Sequence, residues 1–239
     1  MSNATKKLQI LGTFGDDSDS DLPEVSAKDN GKMLIVENGV WKMVSSERFV
    51  KNALAITSFK ATPSIAEIGS TVPSVKLDWT VNMTPASVTV NGTSVDPSLG
   101  TYNPPERNIT TYKAWSLVVT DETGMTVTKP TSLTFCNRVY FGLVADGTAI
   151  NEATIKALPN ELRTDRKAKF SVTAKEGQRL TFATPSVGYG EPTFTIGKFD
   201  YKWTKVDTFK ITNGSGYAEN YDVWQHPQII VGNVTVNVI

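Results

Sequence analysis

The sequence predicts a mostly β protein: a short N-terminal hairpin arm, an immunoglobulin-like β-sandwich, and a C-terminal β-sandwich with one short helix. Three observations carry this expectation. Apolar and polar residues alternate in run after run; in Val75-Lys76-Leu77-Asp78-Trp79-Thr80-Val81, for example, Val75, Leu77, Trp79 and Val81 share one face. Turn pairs punctuate the runs, among them Asn30-Gly31, Asn38-Gly39 and Asn91-Gly92. Thr, Val, Asn and Ser are abundant, the usage of an all-β chain.

Residues 1–21 read as a leader. Its second half, from Thr13 to Asp21, is small and acidic, which keeps such a segment extended and solvated. Asp17, Asp19 and Asp21 alternate as in a calcium loop, but that loop would need Gly at 22 and Glu at 28. The chain has Leu22 and Lys28 there, so the pattern fails.

Residues 22–56 read as an attachment arm. After Pro23, a strand over Met33–Val36 turns at Asn38-Gly39 into a partner over Val40–Val44. A two-stranded hairpin is marginal by itself, so it is expected to pack on a partner or on copies of itself. Leu34, Val36 and Trp41 are the expected contact residues. A short helix is expected over 45–56, with Ser46 as its N-cap and Phe49, Val50, Ala53 and Leu54 as its apolar stripe.

Residues 57–135 hold six to seven short strands, the spacing of an immunoglobulin-like sandwich without the intersheet cysteine pair. Trp79 and Trp115 are its expected core. Residues 136–239 form the second β module. Its helix starts at the Asn151 cap with Glu152 in the first turn, and Pro159 disfavours helix at Leu158. The final run, Val234-Thr235-Val236-Asn237-Val238-Ile239, alternates to the end of the sequence and is expected to pair within a sheet.

Composition narrows function. Across 239 residues, 24 basic and 24 acidic side chains give zero formal net charge. That argues against nucleic acid as a partner, since such binders show a basic patch or stripe, and against charge-driven membrane binding. No run approaches the ~18 apolar residues that a membrane span needs. With no secretion signal in the first residues and one cysteine, Cys136, the expectation is folding in a reducing cytoplasm. The six Asn-x-Ser/Thr sequons are then expected to carry no glycan.

A catalytic triad would have to use His226, the only histidine, which sits beside Pro227 in a loop context away from Cys136. One Cys and one His do not make a zinc site of three or four ligands. Gly188-Tyr189-Gly190 is followed by Glu191-Pro192, which breaks the phosphate-loop patterns. No pair of carboxylates is marked out for glycoside hydrolysis. The expectation is a protein that is not an enzyme, with no catalytic residues, metal or cofactor. A late cluster of aromatics includes Trp203 and Trp224, which could stack on sugar rings of a host surface polysaccharide; a sandwich core with subunit contacts is the plainer reading. If any of the cluster is exposed, strand alternation makes Trp203 the candidate.

Two stretches carry a resemblance. Leu22-Pro23, Asp29-Asn30-Gly31-Lys32, Leu34-Ile35-Val36 and Gly39-Val40-Trp41 resemble a short unit of phage tail and fibre proteins. Segments from Ala66–Val72 and Lys76–Asn82 through Phe135–Gly142, Pro192–Phe199, Phe209–Tyr217 and Asn220–Trp224 together resemble a module of tail-associated proteins of double-stranded DNA phages. The resemblance implies a virion structural protein of a tail, fibre or baseplate, made in the host cytoplasm and assembled through its N-terminal arm with other virion proteins. It implies a homo-oligomer, a trimer by fibre architecture. The alternative is a carbohydrate-binding receptor-recognition module of a tail tip or bacterial adhesin.

Overall fold

The protein is described by a computed structural model over residues 27–29, 32–37, 39–45 and 53–239. The expected leader 1–21 with its three alternate aspartates, and Ser46, Phe49 and Val50 of the expected helix, lie outside the described residues. The end of that expected helix is not helical: Ala53–Ala55 are irregular, Ile56 already belongs to a strand, and Leu54 is buried in the core of the first sandwich instead of on a helix stripe.

The arm is a hairpin. A single 3-10 turn at Ala27–Asp29 precedes β1 (Lys32–Glu37), which pairs antiparallel with β2 (Val40–Ser45) in a two-stranded sheet of its own. The register sets Glu37 opposite Val40, which leaves a two-residue loop. Gly39 takes a φ of +76°, as the second position of a type I′ turn requires.

The next eight strands build the first sandwich. They are β3 (Ile56–Thr62), β4 (Ile65–Glu67), β5 (Lys76–Val81), β6 (Ser87–Val90), β7 (Thr93–Val95), β8 (Thr101–Tyr102), β9 (Lys113–Thr120) and β10 (Thr126–Ala145). One sheet runs β3-β5-β8; the other runs β7-β6-β9-β10, with β4 parallel on β10. Asn91 and Gly92, at φ +48° and +81°, make the tight β6–β7 turn that an Asn-Gly pair predicts. The alternating faces meet between the sheets. Val75, Leu77 and Trp79 from one side pack with Val88, Val90, Trp115, Leu117 and Val119 from the other, all buried. Trp79 and Trp115 are core residues, as expected.

Strand β10 is longer than its sequence suggests. The runs Thr126–Thr128 and Ser132–Phe135 belong to one 20-residue strand, which continues past Cys136 into the second module. Its first part pairs with β9 and its last part with β13 (Gln178–Pro185). The expected boundary at 135/136 falls inside this strand. The hydrophobic cores still divide there: the first ends at Leu133 and the next begin at Val139 and Tyr140.

The second module adds helix α1 (Glu152–Lys156) and strands β11 (Asn160–Arg163), β12 (Ala168–Ala174), β14 (Phe194–Ile196), β15 (Phe199–Tyr201), β16 (Thr204–Thr212), β17 (Ala218–Gln225) and β18 (Gly232–Val238). The Oδ1 of Asn151 caps α1, accepting from the Thr154 N–H at 3.0 Å, and the helix stops before Leu158-Pro159. In the sheet β16-β17-β13-β10, the strands β17 and β13 and the end of β10 bury side chains on both faces, while β16 is mostly exposed. Leu180, Phe182 and Trp224 face a second sheet, β12-β18-β14-β15; Tyr140, Val144, Ala183, Tyr221 and Val223 face α1 and its Ile155. The last strand, β18, lies between β12 and β14, so it is paired on both sides.

Candidate functional site

Two regions hold the residues singled out by sequence. The first is the hairpin. Pairing sets Leu34 opposite Met43 and Val36 opposite Trp41. Side chains two apart on a strand share a face, as do paired residues across the ladder. Leu34, Val36, Trp41 and Met43 therefore form one continuous apolar face. Val36 is 56% exposed and Trp41 37%, and Leu34 and Met43 are half-buried. The three expected contact residues are brought together, and Met43 joins them. The opposite face carries Met33, Ile35, Val40 and Val44 and is broken by Lys42, in line with Ile35.

The second region is the aromatic cluster of the C-terminal module. Trp203 is not exposed, against expectation: it is 3% exposed, and its ring stacks on Phe194 with centroids 4.1 Å apart and planes 10° apart. Lys202 and Trp203 sit in the break between β15 and β16, so strand alternation does not govern them. The chain can there turn Trp203 inward while Lys202 stays exposed. Tyr201, at 36%, and Phe199, at 71%, are the exposed aromatics of this stretch. Trp224 is 8% exposed and packs 6.4 Å from Phe194. Neither tryptophan offers an open ring face to a sugar.

Both tryptophans do line the floor of a surface cleft of about 600 Å³. Its lining comes from the 186–191 loop, the break at Lys202 and Trp203 with the start of β16, and β17. Asp222 and Trp224 are alternate residues of β17 and so share a face. The β16–β17 register sets Thr208 opposite Asp222. Three donors converge on Asp222 Oδ1: Ser186 Oγ at 2.7 Å, Thr208 Oγ1 at 2.8 Å and Lys205 Nζ at 2.8 Å. Burial pushes the Asp222 carboxyl up. The hydrogen bonds from Lys205, Ser186 and Thr208, with the Lys205 charge, outweigh it and hold the group below its ordinary value. Glu191 and Lys202 stand at the rim with no hydrogen bond or ion pair among the described residues. The Nε1 atoms of Trp203 and Trp224 are buried and likewise lack a partner among the described residues.

His226 and Cys136, the two residues weighed for nucleophilic chemistry, are each buried among other partners. His226 is 1% exposed, with its ring against Tyr201 and Trp203 and its Nδ1 bonded to the Gln228 backbone. Cys136 is a buried free thiol on β10, opposite Glu67 of β4; burial, then the Glu67 charge, pushes its pKa up, away from the reactive thiolate. Among the described residues, no three His, Cys, Asp or Glu side chains cluster to hold a metal, and no helix is long and apolar enough to cross a membrane.

Sequence reading found Trp203 and Trp224 but not Ser186, Glu191, Lys205, Thr208 or Asp222. These come from four separated stretches and form no motif. Comparison with protein families, curated proteins and solved structures finds no match.

Proposed function

We propose that the chain is a structural, assembly-forming protein, mounted through its β1–β2 hairpin, and that its setting is a phage tail, fibre or baseplate. The apolar face of Leu34, Val36, Trp41 and Met43 is the observation that carries the reading. Six-residue strands in a lone pair bury too little to hold themselves, so an exposed face of this kind needs a cover. A second copy of the same hairpin is the occupant we assign. The face presents the same apolar side chains to any copy and carries no charge between them, which suits symmetric, isologous contact. The segment Asp29 to Trp41, with its resemblance to a tail and fibre unit, supplies the virion setting. The immunoglobulin-like reading of the first sandwich fits the same setting.

Analytical ultracentrifugation of the full chain tests the assembly step. The protein sediments as a discrete oligomer, and Leu34→Asp and Trp41→Glu shift it to monomer with unchanged near-UV circular dichroism. A wild-type chain that stays monomeric at the highest soluble concentration overturns the reading. Antibody labelling of particles in electron micrographs tests the virion setting separately.

A further inference from the structure

We infer that the cleft over Trp203 and Trp224 binds a neutral saccharide, held at its rim by Glu191 and Lys202 and at its wall by Asp222. This site lies apart from the hairpin and does not depend on the assembly reading. The cleft, about 600 Å³, falls in the size range of small-ligand sites.

Its polar groups point to the ligand class. Asp222 spends one carboxylate oxygen on Ser186, Thr208 and Lys205, and Oδ2 takes no hydrogen bond among the described residues. The carboxylate is thus fixed in place and ionised, with acceptor capacity left over. Glu191 adds a second acceptor and Lys202 a donor, neither engaged by protein. Counting the four charged side chains, Lys202 and Lys205 balance Glu191 and Asp222. A phosphate or carboxylate ligand would meet two anions, and a cation would meet two ammonium groups. A hydroxyl both donates and accepts, so a ring carrying several of them can satisfy carboxylates and ammonium together without bringing charge.

The floor agrees with this. Trp203 is braced by Phe194 and cannot swing without breaking a stacked core pair. Its indole edge and that of Trp224 make a rigid apolar base for the C–H side of a sugar, in place of the open face that stacking needs. Rigid floor, fixed carboxylate and two free rim charges make a preformed site rather than one assembled on binding.

Nuclear magnetic resonance reads this directly, because the five tryptophans give five indole N–H signals. The full chain is titrated separately with glucose, galactose, mannose, maltose, lactose and inorganic phosphate. The expected result is a saturable shift of the Trp203 and Trp224 signals with at least one sugar, while Trp79 and Trp115 stay put. Glu191→Gln and Lys202→Ala each weaken that binding about tenfold or more. Both positions are exposed, and an unchanged urea midpoint certifies that the variants remain folded. No saturable shift with any sugar overturns the proposal. So does a shift that survives both substitutions, or one produced by phosphate and not by sugars.

Discussion

Gly69 and Tyr217 meet across the junction of the two modules: a Cβ placed on Gly69 would lie 2.5 Å from the Cβ of Tyr217. Gly69 also holds a φ of +82°, where side chains are strained. Beside it, the Asn213 amide donates to the Ile68 carbonyl at 2.7 Å, and Arg138 pairs with Glu67 at 2.8 Å. The β16–β17 turn is thereby seated on the first sandwich. Gly69→Ala is expected to cost about 1–3 kcal/mol from backbone strain, plus a contact penalty on top. Gly124, at φ +85° with open space around it, shares the strain without the contact. Urea denaturation of both variants should therefore show Gly69→Ala distinctly less stable than Gly124→Ala.

The two tryptophans named for contact roles should behave in opposite ways. Trp203→Ala empties a buried site stacked on Phe194 and is expected to lower stability by about 3–5 kcal/mol. Trp41→Ala, on the hairpin face, should leave the urea midpoint of the two modules within about 0.5 kcal/mol of wild type. It should instead weaken self-association in sedimentation at matched concentration.

Asp222 predicts an acid-dependent stability. Its folded pKa lies below its unfolded value, which is about 3.9 for a free aspartate. Ionised Asp222 therefore stabilises the fold fully above about pH 4, and the contribution is lost as pH falls through the lower, folded value. Thermal melts of wild type and Asp222→Asn should differ most at neutral pH. The gap should narrow steadily below about pH 4. A gap that stays constant down to strong acid would contradict the assignment.

Tyr221 hydrogen-bonds through its phenol to the Arg138 carbonyl at 2.9 Å and packs edge-on to Tyr140, with centroids 5.7 Å apart. Burial pushes its pKa far up, so it serves as an un-ionised donor throughout the working range. Tyr221→Phe keeps the ring and orphans the carbonyl of β10, with an expected cost of about 1–2 kcal/mol in chemical denaturation.

What sequence could reveal follows from how local each cause is. The Asn91-Gly92 turn, the Asn151 cap and the Val75–Val81 face are set by neighbours within a few residues, and all three are legible. The hairpin face was legible for the same reason, since its register follows from a two-residue turn. Strand β10 was not, because Lys129-Pro130 interrupts the pattern of apolar residues. Pairing with β9 carries the strand through, with Pro130 opposite Ser116. Which aromatic of the cluster is exposed was not legible, because the break at Lys202 and Trp203 ends strand alternation and no local pattern marks it. The cleft was invisible because Asp222 gains its meaning only from Ser186 and Thr208, brought beside it by pairing rather than by sequence.

The continuous β10 also bears on how the protein meets mechanical load. Two modules strung on a loop can yield one at a time, each unravelling while the other holds. Here the last strand of the first sandwich also forms the β16-β17-β13-β10 sheet of the second module. Tearing it from β9 peels the edge toward its seam with β13, and freeing it from β13 slackens the seam with β9. Tension delivered through the hairpin should therefore find no compliant joint between the modules, and the two should rupture as one unit.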